Sequence, residues 1–234
     1  MKKKNLIITS SALAALAIAG GAFAFFTSVQ TATNTFTVGD VEVELEEPKW
    51  DELPDADDDG TPDIAENMTP GQVVPKNPTV TNVGTIDAYG FVKVVIPYEN
   101  VNAIDENGNQ VAATDNELFQ LLDTASAVGI NAGWVEITGE VDGITYPYKD
   151  TANKTISHIY AYASATAMTA IEVGEAVSPF DAVKFAAVTE GAFEGQNLDV
   201  VVTAYSVQTT NLGVTAPADV WEVVNDQVAA IPNN

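Results

Sequence analysis

The chain lacks cysteine and arginine altogether, and it contains one histidine, His158. Without cysteine there is neither a disulfide framework nor a thiolate zinc site. With one histidine there is no H-E-x-x-H zinc motif, and a site built from carboxylates suits calcium better than zinc. No G-x-S-x-G segment or phosphate-binding glycine loop occurs either. We therefore predict that the protein is not an enzyme, and that His158 is a packed or surface residue of a strand rather than a ligand.

Basic residues are scarce, with 9 lysines against 33 aspartates and glutamates and a formal net charge of −24. Such a charge argues against binding to nucleic acid or to anionic lipid, and it favours solubility and cation binding. The chain is nevertheless 46% hydrophobic, which is not a composition typical of disorder. These properties indicate a folded, acidic protein without a nucleic-acid partner.

The N-terminus has the three parts of a secretory signal peptide. Three lysines at 2–4 precede an apolar run at 6–19, and an A-x-A cleavage site ends at Ala24. We expect cleavage between Ala24 and Phe25, so that residues 1–24 are the signal peptide and the mature protein is secreted. The alternative is a retained membrane anchor, because the apolar stretch reaches about 20 residues. In the favoured interpretation the protein meets the membrane only through the uncleaved signal segment.

Alternating and valine-rich segments predict that most of the chain is β-structure. Two segments instead have helical spacing: 115–127, with Asp115 or Asn116 as N-cap, and 217–230. Asn107-Gly108 predicts a hairpin turn. The pattern favours a mainly β protein, an antiparallel jelly-roll β-sandwich with a few short helices, over residues 37–234. The predicted strands are 36–45, 79–83, 89–98, 134–138, 155–163 and 198–208, the last of which we expect to be central.

Residues 47–72 form an acidic, proline-rich insertion, and within it residues 55–66 match the spacing of a calcium loop of EF-hand type. Gly60 stands where that loop turns sharply, whereas flanking prolines and the lack of helical patterns argue against a paired EF-hand. A solvated acidic turn is the alternative. For a lone extracellular site we expect a Kd of about 0.1–1 mM. The predicted calcium ligands are Asp55, Asp57, Asp59, the Thr61 carbonyl, Asp63 and Glu66.

Several segments follow, in order and spacing, the pattern of one known family. Residues 22–27, followed by Phe36-Thr37-Val38-Gly39-Asp40, match a small-aromatic cleavage region and an F-x-x-G strand. Residues 67–73 leading to 80–85 match an "L-x-P-G-D … V-x-N-x-G" stretch, and the strand at 204–208, followed by a helix with a tryptophan, matches the end of that pattern. Together these segments resemble the TasA/camelysin family, whereas residues 110–190 carry no such likeness.

The resemblance implies a secreted subunit of biofilm-matrix fibres, located in the extracellular matrix or at the cell surface. It implies that a signal peptidase of SipW type releases the chain, and that its partner is a further copy of itself. In such fibres the N-terminal segment of one subunit, here 25–36, completes the sheet of the next as a donor strand. The apolar residues available to secure that segment are Phe25, Phe26, Val29 and Ala32.

Two other functions stay open. One is a monomeric secreted adhesin or glycan-binding surface protein with the same fold, since Tyr146, Tyr148, Tyr160 and Tyr162 could form a carbohydrate-binding face. Cross-strand packing is the commoner role of such tyrosines, and Trp134 and Trp221 are more typical of a core. The other is a metalloprotease, an activity ascribed to camelysin, which the lack of zinc-binding motifs disfavours.

Overall fold

The computed structural model describes residues 30–31, 34–35, 39–105, 107–189 and 197–230. The chain divides into two compact units, Met1–Asp40 and Val41–Asn234. The first contains a short antiparallel pair, in which Gln30 lies opposite Thr35 and Thr31 opposite Asn34. The predicted signal peptide and cleavage site lie outside the described residues. Among the residues described, no helix is long and apolar enough to cross a bilayer.

Strands dominate the described residues of the second unit, which also include two helices and a 3-10 turn at Asp63–Ala65. In chain order the strands of the protein are β1 Gln30–Thr31, β2 Asn34–Thr35, β3 Val43–Glu46, β4 Val73–Pro75, β5 Thr79–Asn82, β6 Ala88–Ile104, β7 Gln110–Glu117, β8 Phe119–Leu122, β9 Trp134–Glu136, β10 Gly139–Val141, β11 Ile144–Tyr146, β12 Tyr148–Asp150, β13 Thr155–Tyr162, β14 Ala170–Ile171, β15 Ala176–Val177, β16 Ala182–Phe185 and β17 Val201–Gln208. The helices are α1 Pro48–Asp51 and α2 Pro217–Ala230.

The 17-residue strand β6 is the central strand of a seven-stranded antiparallel sheet. β13 and β17 flank it, and β7 pairs with its C-terminal part. Val92, Val94 and Ile96 are buried on one face of β6 and Phe91 on the other, which suits a central strand rich in β-branched residues. The prediction that the strand at 198–208 is central is wrong. In the part of the chain that the structure describes, β17 has a ladder only with β6, and its first residue, Val201, is 50% exposed.

Two smaller three-stranded sheets, β15-β5-β3 and β4-β16-β8, pack on one face of the large sheet. The core between these layers joins Val94 and Ile96 of β6 to Val80 and Val183 of the smaller sheets. A second core lies on the opposite face, where Trp221 of α2 packs over the sheet together with residues of the β10–β11 hairpin. The predicted fold class is therefore confirmed: the protein is mainly β, with antiparallel sheets, one of them curled, and two short helices.

The helix predicted at 115–127 is wrong, because that segment forms the end of β7, then β8 and a turn. Phe119 pairs with Phe185 and Leu121 with Val183 across the β8–β16 ladder. Leu118, Phe119, Leu121 and Leu122 are all buried, so sheet pairing with β16 overrides their helical spacing. The predicted N-cap Asp115 instead forms an ion pair with Lys149.

Of three other local predictions, the hairpin and the C-terminal helix agree with the structure, whereas the loop at 47–72 differs from it. The hairpin at Asn107-Gly108 joins β6 to β7, and Gly108 adopts a φ of +80°, as this turn requires. The Asp105 carboxylate accepts hydrogen bonds from the backbone N–H groups of Asn107 and Asn109 and so holds the turn. The helix predicted at 217–230 is α2. The insertion at 47–72, predicted without regular elements, contains α1 and the 3-10 turn.

Candidate functional site

The acidic loop brings three of its predicted calcium ligands together. One carboxylate oxygen from each of Asp55, Asp57 and Asp59 lies within 4.8 Å of the others. The loop is closed at its base, because the N–H of Asp63 donates to the carbonyl of Pro54 at 2.9 Å. The three carboxylates can converge because they alternate along a chain that reverses direction within five residues.

The reversal depends on backbone conformation at the centre of the loop. Gly60 has a φ of +89°, and its N–H donates to Asp55 Oδ2 at 2.9 Å. A side chain at Gly60 would meet no atom within 4 Å, so the requirement for glycine is conformational rather than steric. Asp58 also lies in the left-handed region, with a φ of +58°. The loop backbone thus positions Asp55 for a shared site.

The loop carboxylates interact electrostatically. The hydrogen bond from the Gly60 N–H lowers the pKa of Asp55. In contrast, the negative charge of Asp57, followed by burial and by the charges of Asp59 and Asp63, raises the pKa of Glu66. In addition, Asp55 Oδ1 is buried and has no hydrogen-bond partner. The loop therefore concentrates negative charge around a free carboxylate oxygen, which is a suitable environment for a hard cation.

Other predicted ligand residues take part in hydrogen bonds within the loop. Asp63 Oδ1 accepts a hydrogen bond from the N–H of Ala56 at 2.9 Å, and the N–H of Thr61 donates to Asp59 Oδ1 at 2.7 Å. Neither Asp63 nor Glu66 joins the close group of three carboxylates. Full EF-hand coordination would therefore require these two side chains to move toward the ion.

A second polar cluster, which the sequence analysis missed, surrounds His158 on β13. The Nδ1 atom lies 2.6 Å from Glu136 Oε1 on β9, and Nε2 lies 3.1 Å from Glu117 Oε1 on β7. The residue is 9% exposed, and its ring stacks on Tyr160 with the centroids 6.0 Å apart. No spacing in the sequence signals this cluster, since its members are 22 and 41 residues apart.

His158 is held in its charged form. Burial favours the neutral ring, but the hydrogen bonds and charges of Glu117 and Glu136 outweigh it and raise the pKa to about 9. The doubly protonated imidazolium can donate to both carboxylates at once. Because its two nitrogens point in opposite directions, a single metal ion cannot bind both of them. The cluster is therefore organised as an internal ion-pair network rather than as a zinc centre.

Beside this cluster, a groove of about 760 Å³ runs between the large sheet and the β8–β16 pair. Its walls combine apolar residues with the two carboxylates that bind His158. The residues that line the groove include Ile96, Phe119, Leu121 and Tyr160, together with Glu117 and Glu136.

The aromatic residues do not assemble into a carbohydrate-binding face. Tyr146 is buried in the second core and Tyr160 in the first, so they lie on opposite faces of the large sheet. Tyr148 is exposed. Trp134 and Trp221 are both buried, which confirms their prediction as core residues.

The residues predicted for assembly and processing cannot be placed in the same way. Ala24, Phe25, Phe26, Val29 and Ala32 all lie outside the described residues. The described part of segment 25–36 is the short pair of Gln30–Thr31 with Asn34–Thr35, so its role as an extended donor strand stays a prediction from the sequence.

Comparison with known proteins gives one finding. The family model described as camelysin metallo-endopeptidase matches residues 1–115, a range that includes the acidic loop, β3 to β6 and most of β7. No curated protein matches the chain. The match agrees with the resemblance carried by the N-terminal segments and by the stretch around Asn82. The N-terminal 115 residues of this chain are therefore similar to the camelysin family, as the sequence analysis expected.

Proposed function

We propose that this protein is a secreted structural subunit of extracellular biofilm-matrix fibres, which assembles head to tail by donor-strand exchange. The observation that carries the proposal is the free edge of the large sheet. Among residues 39–105, 107–189 and 197–230, β17 has a ladder on one side only, and β3 likewise pairs only with β5. Unpaired strand edges recruit extended segments through their backbone N–H and C=O groups.

The sequence supplies a suitable donor segment. Residues 25–35 contain neither glycine nor proline and are rich in threonine, so an extended conformation is accessible to them. About ten added backbone hydrogen bonds would contribute about 0.5–1.5 kcal/mol each. Burial of Phe25 and Phe26 would add about 1.5–3 kcal/mol apiece. These gains must exceed the conformational-entropy cost of ordering the segment, about 1–2 kcal/mol per residue. Binding of the donor segment therefore depends on the burial of Phe25 and Phe26.

Electron microscopy and sedimentation of the purified mature protein test the proposal. The mature chain should form regular filaments, and deletion of residues 25–33 should leave a folded monomer. A monomeric adhesin would instead remain monomeric in both forms. Normal filaments from the truncated protein would contradict donor-strand exchange.

A pair of matched variants tests which edge receives the donor. Val201→Lys places a charge at the free edge of β17, whereas Val228→Lys places one on α2, and both valines are exposed in the structure. Lysine on a strand edge opposes pairing with another chain. We expect Val201→Lys to shorten or abolish filaments and Val228→Lys to leave them unchanged. Equal effects of the two variants would exclude β17 as the acceptor edge.

We further propose that the acidic loop binds one calcium ion. The close group of Asp55, Asp57 and Asp59 and the unpartnered Asp55 Oδ1 support this assignment. Asp57→Asn removes one member of the group, and Asp58→Asn removes the same charge from a neighbour outside it. Isothermal titration should show affinity reduced more than about tenfold in the first variant and much less in the second. Equal losses, or no binding by the wild type at millimolar calcium, would leave only a solvated acidic turn.

Peptidase activity is the competing function, because the matched family model carries the description metallo-endopeptidase. We propose that this chain is not an enzyme. In support, both nitrogens of its single histidine are engaged by carboxylates. Casein cleavage that persists through purification, is inhibited by a chelator and is lost in His158→Gln would overturn this proposal.

A further inference from the structure

The cluster around His158 joins strands that no backbone ladder connects. β7 pairs with β6, and β9 pairs with β13, but β7 and β9 form no ladder with each other. His158 on β13 bridges them, because Glu117 is the last residue of β7 and Glu136 the last residue of β9. The end of β7 is thus held to the rest of the sheet by its ladder, by the Asp115–Lys149 ion pair and by the bridge through His158.

The bridge also borders the groove. Glu117 and Glu136 both line it, together with Tyr160, whose ring stacks on His158. Directly after Glu117, the N–H of Leu118 donates to the carbonyl of Pro97, and β8 then forms the opposite wall. A movement of the end of β7 would therefore alter the width of the groove.

We propose that Glu117, His158 and Glu136 form a pH-sensitive clamp, which holds the end of β7 along one wall of the groove and releases it when the imidazole ring loses a proton. The clamp goes beyond the proposed fibre function and does not depend on it. It is an internal device of the fold, and its ligand is the proton.

The chemistry of the ring explains the switch. An imidazolium has two N–H donors, one for each carboxylate, and its positive charge offsets part of their negative charge. A neutral ring keeps one N–H, so its other nitrogen presents a lone pair to a carboxylate oxygen. The donor to one glutamate is then replaced by repulsion within a half-buried site, and that contact opens.

The other titratable and charged groups near the His158 ring stay neutral or have other partners. Tyr160 stacks on the ring but stays neutral, because burial raises the pKa of its hydroxyl beyond the ordinary range. Asp115, near Glu117 on β7, is already paired with Lys149 of β12. From β6, the register partner of His158 is the uncharged Val94. Lys184 of β16 and Asp105 also line the groove, but the ion pairs of Glu117 and Glu136 among the described residues are those with His158.

The direction of the switch follows from the raised pKa of His158. A pKa of about 9 in the folded protein exceeds the ordinary value of 6.5. The clamp therefore contributes its full stabilisation below about pH 6.5 and loses it as the pH rises through about 9.

The test uses the fact that His158 is the only histidine, so its ring signals in an NMR titration of the full mature protein need no assignment. We expect a titration midpoint near pH 9 in the wild type. In Glu117→Gln and Glu136→Gln the midpoint should fall by more than about 1 pH unit each. Glu99→Gln is the control: Glu99 lies opposite Asn116 in the β6–β7 ladder but pairs with Lys154 rather than with His158, so its replacement should leave the midpoint unchanged.

Hydrogen exchange at one fixed pH reports whether the clamp holds β7. At pH 7, amides at the end of β7 should exchange at least about tenfold faster in Glu117→Gln than in the wild type, with β5 amides unchanged. A wild-type midpoint at or below 6.5, or unchanged β7 exchange in a folded Gln variant, would overturn the proposal. If neither variant folds, the wild type tests the proposal by itself. The protection of its β7 amides from hydrogen exchange, corrected for the intrinsic exchange rate, must then fall between pH 8 and pH 10.

Discussion

Replacement of Trp221 by alanine is the most demanding test of how α2 is attached to the sheet. The indole is 3% exposed, and its ring centroid lies 5.4 Å from those of both Phe91 and Tyr205. Tyr146 contacts it edge-on at 6.4 Å. Truncation of a buried tryptophan to alanine costs about 3–5 kcal/mol, and the loss of three aromatic contacts places this site in the upper half of that range. We expect the free energy of unfolding to fall by about 4 kcal/mol.

Replacement by phenylalanine should have a much smaller effect. The Nε1 atom of Trp221 is buried without a hydrogen-bond partner. Trp221→Phe keeps an aromatic ring and removes that unsatisfied donor, a gain of about 1–3 kcal/mol that offsets the lost contacts. The net change should therefore stay below about 1.5 kcal/mol.

Urea denaturation followed by near-UV and far-UV circular dichroism measures these differences. Val228→Ala is the control on the same helix, because Val228 is exposed, and it should change stability by less than about 0.5 kcal/mol. A loss below about 1 kcal/mol in Trp221→Ala would refute the role given to α2. Equal losses in the alanine and phenylalanine variants would instead refute the stabilisation expected from removing the unpaired Nε1.

Three further predictions concern the sheet. Asn82→Ala should lower the free energy of unfolding by about 3 kcal/mol, measured by urea denaturation, because its buried amide donates to the carbonyls of Ile86 and Ile171. Thermal unfolding should show stability declining as the pH rises through about 9, and His158→Gln should flatten that decline. Gly90→Ala should lower the melting temperature by a few degrees, because a Cβ there would lie 2.4 Å from Ile171 Cδ1, the flexible end of a side chain. Melting temperatures unchanged within error would contradict the last of these.

Strands were predictable from sequence where one rule governed the segment. Alternation and valine content located β5, β6 and β13, and apolar residues at helical spacing located α2. The rule failed at Leu118–Leu122, where apolar residues at 118, 119, 121 and 122 fit a helix as well as a strand. Only the ladder with β16, more than 60 residues later, decides between the two, and no local pattern contains it.

Of the two candidate sites, the sequence predicts one and not the other. The acidic loop was predictable because its ligands are contiguous and their spacing is dictated by the geometry of a calcium ion. The clamp at His158 was not, because its three residues come from three strands and meet through sheet register. Predicting it would have required knowing that Glu136 lies opposite Tyr160, two residues from His158 on the same face of β13.

The segments on which the family resemblance rests are explained by structural roles. Asn82 accepts a hydrogen bond from the N–H of Gly84 and ties the end of β5 to Ile171. In the Thr69–Gln72 turn, Gly71 has a φ of +85° and its N–H donates to Phe185, which fastens the end of the insertion to β16. These residues form turns and join strands, and none of them is a nucleophile or a general base. The roles of Asn82 and Gly71 in this chain are thus structural, and similarity to a peptidase family in these segments assigns no catalytic function, because function depends on the residues of a site rather than on the motifs that build a fold.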